Sequence, residues 1–526
     1  MSLEDEKKSG AVIEVSSSRS VKEDNEVHLE KNFNLLNTCA MQYSLICSPI
    51  AVGTFLNVVI GIGGSPGFLY GYLLAVTLDL VVCYCLAELA SAYPSSSAQV
   101  HWTYCLAPHH LKRPLSFAVG VLSCAGWIFA CFSVSYTTSM FILTLAKIYN
   151  PDYSPEPWHY YVIYATIIIT CYLFNVFCFS TFSYVNYFLV FVINAGTLFI
   201  VVTLLVRSNH KRSAHYVFAE FINETGWSSN GVTFFLGLLP SIATVTFFDN
   251  APHMTNEIPN PQKNIPLVMV ISNTVSAVVA FLAAVVYMFC VVNEKHMSDP
   301  IGGQPFIQLM LDAFRSEALT TLGSVILIVT FYGSLFGYVC SSSRLFLAFS
   351  KRKGLPFGDS YLDVIHPTLK TPVNALTLVT VISLLIGLII FGPSTALAAF
   401  LGSSSVCIYL SYIFPIACNL YYSKFAISTR ERFPDDSSHG ETVCTNPKSD
   451  LPYFHLGRSG VFLNVISVAW TCFIVVWLNF PTSYPVNKNT MNYLCVILGS
   501  TFFIALTLWF GYARKNYNHD VHVNMQ

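Results

Sequence analysis

Three acidic residues occupy apolar stretches of the sequence, where a charge is unexpected. Asp79 lies near the middle of one stretch, Glu88 lies toward its end, and Asp249 interrupts a later stretch. A carboxylate in hydrocarbon costs free energy, so each residue is a candidate for carrying a proton or for gating. The alternative for Asp79 is a structural role as a buried, protonated or hydrogen-bonded residue. Glu88 either pairs with basic residues of a neighbouring loop as a gate or is merely solvated.

Asp249 directly follows two aromatic residues, Phe247 and Phe248. A carboxylate beside aromatic faces suits an ammonium or quaternary ammonium group, through charge pairing and cation–π attraction. We therefore predict that these three residues bind a positively charged nitrogen. The alternative is that Asp249 caps a half-helix near the inner face of a membrane.

Two apolar stretches also contain residues that interrupt a helix. The first has Pro49 followed by Gly53, and the second has Pro240, with Pro252 shortly after it. Proline removes a backbone donor and glycine loosens a helix, so both stretches are predicted to be discontinuous at membrane mid-depth. Irregular backbone survives at that depth where it lines a cavity, and paired half-helices are typical of a solute site in a transporter. The alternative is a simple proline kink.

The composition indicates that these residues lie in a membrane. The chain has 526 residues, of which 54% are hydrophobic and 10% are charged, with a mean hydropathy of +0.56. A soluble protein carries about 25% charged residues. The net charge of −1 creates no field that attracts nucleic acid, so no nucleic-acid partner is predicted. The sequence has no metal-ligand spacing, phosphate-binding loop or catalytic triad, so we expect a gradient-driven transporter that is not an enzyme and needs no cofactor.

The hydrophobic runs predict about twelve membrane-spanning helices, because a span needs roughly 20 apolar residues. Residues 34–512 are predicted to form one transporter domain. It lies between a disordered cytoplasmic tail, residues 1–33, and a cytoplasmic C-terminal tail, residues 513–526. The predicted spans are 38–61, 66–92, 115–146, 159–179, 184–206, 232–250, 266–292, 319–350, 373–391, 394–418, 460–480 and 488–512.

Basic residues predict the orientation of the chain. With the N-terminus inside, 20 of the 27 lysines and arginines fall on the inner side. The positive-inside rule therefore places both termini in the cytoplasm, and we expect a plasma-membrane location. The sequon Asn223-Glu224-Thr225 falls in a predicted outer loop, which makes Asn223 a candidate glycosylation site.

Several motifs occur in an order that is similar to one known family. Residues 63–71 resemble a GGPxGxxYG turn, and residues 87–96 resemble an AExxSxYPTS motif. Residues 223–227 look like an NxTGW stretch, and residues 344–357 resemble a SRxxxAFxRxxGLPF segment. Asp249, His253 and Glu257 match a DxxxHxxEE pattern. Together they resemble the fungal amino acid/choline permease family, of GABA and choline type, within the amino acid–polyamine–organocation superfamily.

The resemblance implies an all-α integral membrane fold of two inverted five-helix repeats, with broken helices 1 and 6, plus two extra helices. It also implies proton-coupled uptake of a small nitrogen-containing solute such as an amino acid, GABA or a choline-like amine. Glu257 would join Asp79, Glu88 and Asp249 in proton coupling or gating. The substrate-binding residues carried over from the family are Ser48, Ile50, Val52, Gly53, Thr246, Phe247, Phe248 and Asp249, with Trp127 and Tyr332 as walls.

Two other functions fit the same fold. One is a carrier of a larger cation or of a vitamin or its precursor, such as thiamine, a polyamine or a biotin precursor. The other is a nutrient sensor that binds a solute without transporting it. The sequence does not distinguish these from uptake of a small amine.

Overall fold

A computed structural model describes residues 33–356, 358, 361–433, 443–488 and 490–518. The predicted N-terminal tail therefore lies outside the described residues except for Phe33, and so do residues 519–526 of the C-terminal tail. The described residues form an all-helical protein, and the β-bridge recorded among them is the isolated pair Ile62 and Asn223.

Among the described residues, eleven helices are long and apolar enough to cross a membrane, and a shorter apolar helix, Asn230–Ala243, lies between the fifth and the sixth of them. This confirms the prediction of a multi-span membrane protein. We number the helices α1 to α12 in chain order: Leu35–Gly61, Gly64–Ala92, Lys112–Tyr149, Pro157–Phe177, Phe179–Arg207, Asn230–Ala243, Pro261–Phe289, Glu317–Lys351, Val373–Phe391, Ser394–Tyr422, Gly457–Leu478 and Leu494–Asn516.

Helix α1 is interrupted at Cys47. The first segment ends there because Cys47 adopts a left-handed conformation, with φ 40° and ψ 33°. A short helix, Ser48–Ala51, begins at once with Pro49 in its first turn, where the missing N–H of proline costs no helical hydrogen bond. The chain then tightens into a 3₁₀ turn over Val52–Phe55. The predicted discontinuity of the first span is therefore present.

Helix α6 ends at Ala243 and does not resume until Asn250–His253. Between them, Phe247 has φ +72°, a conformation that a bulky side chain rarely adopts. A 3₁₀ turn over Thr255–Glu257 follows the short helix. The predicted run 232–250 is thus helical over its first part and unwound over its last. Strained backbone of this kind tends to occur at functional sites.

The ends of the described part of the chain define one side of the molecule, which we call the terminal side. The N–H of Phe33 donates to the carbonyl oxygen of Glu257. Tyr517, after α12, is buried, and its carbonyl oxygen accepts hydrogen bonds from the Arg113 guanidinium at the start of α3. The opposite side, called the distal side, contains the loop before α6, where Tyr484 donates its N–H to the carbonyl oxygen of Thr225.

Candidate functional site

The breaks in α1 and α6 lie against each other in the interior. The Ser48 hydroxyl donates to the carbonyl oxygen of Thr244 at 2.5 Å and accepts from the Ser276 hydroxyl at 3.0 Å. The Gln42 amide donates to the carbonyl oxygen of Phe247 at 3.0 Å. The bonds from Ser48 and Gln42 bring side chains of α1 to backbone carbonyls that the break in α6 has left without α-helical partners, and Ser276 of α7 supports the Ser48 hydroxyl. Buried carbonyl oxygens without helical partners need other hydrogen-bond donors, which explains why polar side chains gather there.

Three aromatic rings meet beside the break in α6. The ring centroids of Trp127, on α3, and Phe247 are 5.1 Å apart, and those of Phe247 and Tyr338, on α8, are 5.2 Å apart. The Trp127 and Tyr338 centroids are separated by 5.7 Å. We call these three residues the aromatic cluster. The left-handed conformation of Phe247 turns its ring into this cluster, so the backbone strain has a structural consequence.

The carboxylate of Asp249 is surrounded by hydrogen-bond donors. Its Oδ2 atom accepts from Gln99 Nε2 at 2.6 Å, Trp127 Nε1 at 3.0 Å and His253 Nε2 at 2.9 Å. Its Oδ1 atom accepts from the Tyr412 hydroxyl at 2.6 Å. The residue is fully buried. This set of donors suits a carboxylate that remains ionised.

His253 strengthens that arrangement. Its second ring nitrogen, Nδ1, lies 3.0 Å from the carbonyl oxygen of Ser96. Both ring nitrogens therefore face oxygen acceptors, and only the doubly protonated ring donates at both. Asp249 and His253 form a buried ion pair in that state.

A short helix between α2 and α3, Gln99–Leu106, positions Gln99 at Asp249. Trp102 anchors this helix by donating its indole N–H to the carbonyl oxygen of Tyr93 at 2.8 Å. On the same helix, burial and then the charge of Arg352 hold the pKa of His101 well below its usual range. A neutral His101 suits the 3.2 Å contact between its Nδ1 atom and the Arg352 guanidinium.

Two buried ion pairs lie on the terminal side. Arg344, on α8, donates to Glu257 at 2.9 Å, and its guanidinium lies over the ring of Phe179. Arg432, in the loop between α10 and α11, donates twice to the carboxylate of Glu88, at 3.0 and 2.9 Å. Glu88 thus pairs with an arginine of a loop, and its role as a gate stays a prediction.

Asp79 differs from these acids because it has no cationic partner among the described residues. Trp470, on α11, donates its indole N–H to Asp79 Oδ1 at 2.8 Å. The Oδ2 atom is buried and has no hydrogen-bond partner in the described part of the chain.

The structure brings most of the predicted substrate residues to the two breaks. Phe248 stacks on Tyr412, with centroids 5.6 Å apart, and Thr246 donates its hydroxyl to the carbonyl oxygen of Ile242. Ile50 and Val52 are fully buried in the core of the distal half.

Tyr332 lies elsewhere on α8. It is half-buried, its hydroxyl donates to Thr170 of α4, and its ring packs on Phe336. Sequence reasoning missed Tyr338 of α8, which does reach the break in α6. It also missed Gln99 and Tyr412, although a glutamine beside the 87–96 motif was a usable signal.

Asn223 lies in the loop before α6 on the distal side. Its amide nitrogen donates to the carbonyl oxygen of Trp227 at 2.9 Å and to Asn230 at 3.3 Å. A glycan at this nitrogen would replace one of its two hydrogens, so at least one of these bonds would be lost. Glycosylation of Asn223 stays a prediction.

Gly53 makes room for a helix on the distal side. A Cβ atom at this position would lie 2.6 Å from the ring of Phe306, which belongs to the short helix Pro305–Phe314. We expect Gly53→Ala to lower the free energy of unfolding by about 1–3 kcal/mol through overpacking, and to reduce uptake. Thermal unfolding in detergent measures the first effect.

Gly499→Ala is the matched control, because nothing lies within 4 Å of a Cβ atom there. The double variant Gly53→Ala, Phe306→Ala should recover part of the uptake if the clash is the cause. Equal stability of the Gly53→Ala and Gly499→Ala proteins would contradict the explanation.

Comparison with known proteins agrees with this architecture. The profile of the family described as Amino acid permease matches residues 33–502. The chain is 26% identical to the choline transporter of Saccharomyces cerevisiae over 507 residues, which covers 96% of this chain and 85% of the relative. It is 27% identical to amino-acid permease 2 of Neurospora crassa over 470 residues, covering 86% and 80% of the two chains. It is 25% identical to the 7-keto 8-aminopelargonic acid transporter of Saccharomyces cerevisiae over 533 residues, covering 92% of each. The chain therefore belongs to the amino acid permease family, and it is a multi-span membrane transporter of a small solute rather than an enzyme.

Proposed function

We propose that the protein imports a small nitrogen-containing solute, an amino acid, GABA or a choline-like amine, together with protons. We place it in the plasma membrane with its terminal side facing the cytoplasm. The observation that carries the proposal is the pair of breaks in α1 and α6, joined by the bond from Ser48 to Thr244 and flanked by the aromatic cluster and Asp249.

The chemistry of this region suits a nitrogen compound. Aromatic faces attract an ammonium group, and the buried carboxylate of Asp249 supplies negative charge behind them. The unwound backbone between Thr244 and Asp249 offers N–H and carbonyl groups that a carboxylate or hydroxyl of the solute can use. The three relatives are named for choline, for amino acids and for 7-keto 8-aminopelargonic acid, and each of these compounds contains nitrogen.

The ion pair between Glu257 and Arg344 gives the terminal side a gate in this proposal. Glu257 follows the broken α6, whereas Arg344 lies on the continuous helix α8, so movement of one against the other separates the charges. Separating the two charges requires a large free energy while both side chains are buried, and this free energy falls when water enters from the cytoplasm. Glu257 therefore acts in gating, and Asp249 acts in solute binding.

The larger solutes remain a second candidate through one observation. The relative named for 7-keto 8-aminopelargonic acid matches 92% of this chain. A solute of that size would have to separate the rings of the aromatic cluster, because these three rings contact one another. A sensor without transport activity is the outcome if solutes bind and none accumulates.

Uptake of labelled solutes in permease-deficient yeast tests the proposal. The panel contains amino acids, GABA, choline and 7-keto 8-aminopelargonic acid, at two external pH values and with or without a proton ionophore. If one proton enters with each solute, accumulation should rise about tenfold for each unit of added pH gradient. Accumulation that ignores both pH and ionophore would contradict proton coupling, and binding without accumulation would indicate the sensor.

A further inference from the structure

Four acidic side chains are buried in the described part of the protein: Asp79, Glu88, Asp249 and Glu257. Three of them have a basic partner. Glu88 pairs with an arginine, Glu257 pairs with another arginine, and Asp249 pairs with a histidine. Asp79 alone in this group lacks a basic partner among the described residues. A buried carboxylate without a cation is costly while it is charged, so Asp79 is the acid whose neutral form the surroundings favour.

The immediate surroundings of Asp79 contain polar groups without compensating charge. The ionisable side chains that interact with it are Tyr72 and Cys83, from α2 itself, and Tyr409, from α10. Helix α11 contributes the indole of Trp470, which donates to Oδ1. Helix α7 contributes Asn273, whose amide lies 3.8 Å from the sulfur of Cys83. None of these residues supplies a positive charge to the carboxylate.

Tyr409 links Asp79 to the broken segment of α6. Its hydroxyl interacts with both Asp79 and Thr246, the residue before Phe247. It forms no hydrogen bond of good geometry with either of them, although it is fully buried. Asp79 Oδ2 is equally without a partner among the described residues. Two interacting side chains, each with a buried polar atom that lacks a bond there, indicate a pair whose hydrogen bond depends on whether a proton is present.

We propose that Asp79 is the residue that carries the coupled proton, and that Tyr409 transmits its protonation state to the break in α6. The inference rests on the proposed proton-coupled uptake and adds the residue that carries the proton. Asp249, with four donors around its two oxygens, stays ionised through the cycle and serves the solute. The proton of the symport and the charge that attracts the solute therefore belong to different carboxylates.

The proton moves by simple transfer. A hydronium ion on the outside loses one O–H bond as its proton forms an O–H bond at Asp79 Oδ2, and that bond breaks when water on the cytoplasmic side accepts the proton. The ionised carboxylate accepts a hydrogen bond from the Tyr409 hydroxyl. When Asp79 is neutral, the hydroxyl is released and turns to Thr246 instead. The backbone beside Phe247 thereby gains or loses a hydrogen-bond partner with each proton.

Asp79→Asn tests the assignment because asparagine has the same shape and its oxygen still accepts from Trp470. We expect this variant to lose accumulation in a pH gradient and to keep exchange of labelled for unlabelled solute, which moves no net proton. Tyr409→Phe should keep exchange and accumulate less per pH unit. Asp299→Asn, at an exposed position on the distal side, is the control and should match the unchanged protein.

Each outcome decides between distinct claims. If the unchanged protein accumulates solute independently of protons, the proposed function fails and this inference fails with it. If the unchanged protein is proton-coupled and Asp79→Asn accumulates equally well, the inference alone is overturned.

If Asp79→Asn shows no exchange at all, infrared difference spectra of the unchanged protein decide. A protonated-carboxyl band that responds to pH and shifts in Tyr409→Phe supports Asp79 as the carrier, and a spectrum without that band overturns it.

Discussion

Arg432→Gln should lower the free energy of unfolding by about 3–5 kcal/mol, because it leaves the charge of Glu88 buried without its cation. Both side chains are almost fully inaccessible, and the guanidinium also donates to the carbonyl oxygen of Gly457 at 3.0 Å. Glu88 would retain one other donor, the N–H of Leu456. A drop in the thermal unfolding temperature in detergent, together with less folded protein in the membrane, measures the effect.

The short helix Thr429–Arg432, which ends at Arg432, provides a control. Arg430 lies two residues away, is 77% exposed and stands 3.9 Å from Asp450. Arg430→Gln should change stability by less than about 1 kcal/mol, since exposed ion pairs contribute little. The double variant Glu88→Gln, Arg432→Gln removes both charges and should be more stable than Arg432→Gln alone. Similar unfolding temperatures for the two single arginine variants would show that the buried ion pair contributes no more to stability than the exposed one.

Asp249→Asn should abolish solute uptake while leaving the protein folded. Asparagine fits the same space: its oxygen can accept from the donors around Oδ2, and its NH2 group can donate to the hydroxyl oxygen of Tyr412, so we expect the packing around it to survive. The negative charge behind the aromatic cluster disappears, and His253 loses its counter-ion. Solute binding and uptake should both fall to background, whereas the chromatographic profile in detergent should remain that of a folded monodisperse protein.

Asp299→Asn serves as the charge-matched control, because Asp299 is exposed on the distal side. It removes the same charge from the chain and should leave uptake unchanged. Normal uptake by the Asp249→Asn protein would rule out Asp249 as the negative charge that binds the solute. Loss of uptake with normal solute binding would instead show that Asp249 acts in a step of transport that follows binding.

The helices were predictable because the bilayer imposes a simple rule on sequence. Each span needs a long apolar run, and the predicted runs agree with the observed helices to within a few residues at most ends. The two breaks were predictable for a related reason. Pro49 and Pro240 lie inside runs that should otherwise have been continuous, and both fall at or near the start of a short helical segment beside a break.

The site was predictable only in part because sequence does not fix which way a long helix faces. Tyr332 and Tyr338 are both tyrosines of α8, but six residues correspond to about 240° around the helix, so they point to different neighbours. Gln99 and Tyr412 meet Asp249 from about 150 and 163 residues away along the chain. Such contacts depend on tertiary packing, which a single sequence does not reveal.

The pairing of Glu88 with Arg432 has a consequence for biosynthesis. The two residues are separated by 344 positions, and the arginine follows the tenth helix. At about 5–20 residues per second, Glu88 is inserted roughly 20–70 seconds before its partner leaves the ribosome. During that interval the acid must stay protonated, stay near the lipid headgroups or be shielded by another protein. Nascent chains stopped before Arg432 should therefore be recognised as unfinished by the cell's membrane quality control, even though their first ten helices are complete.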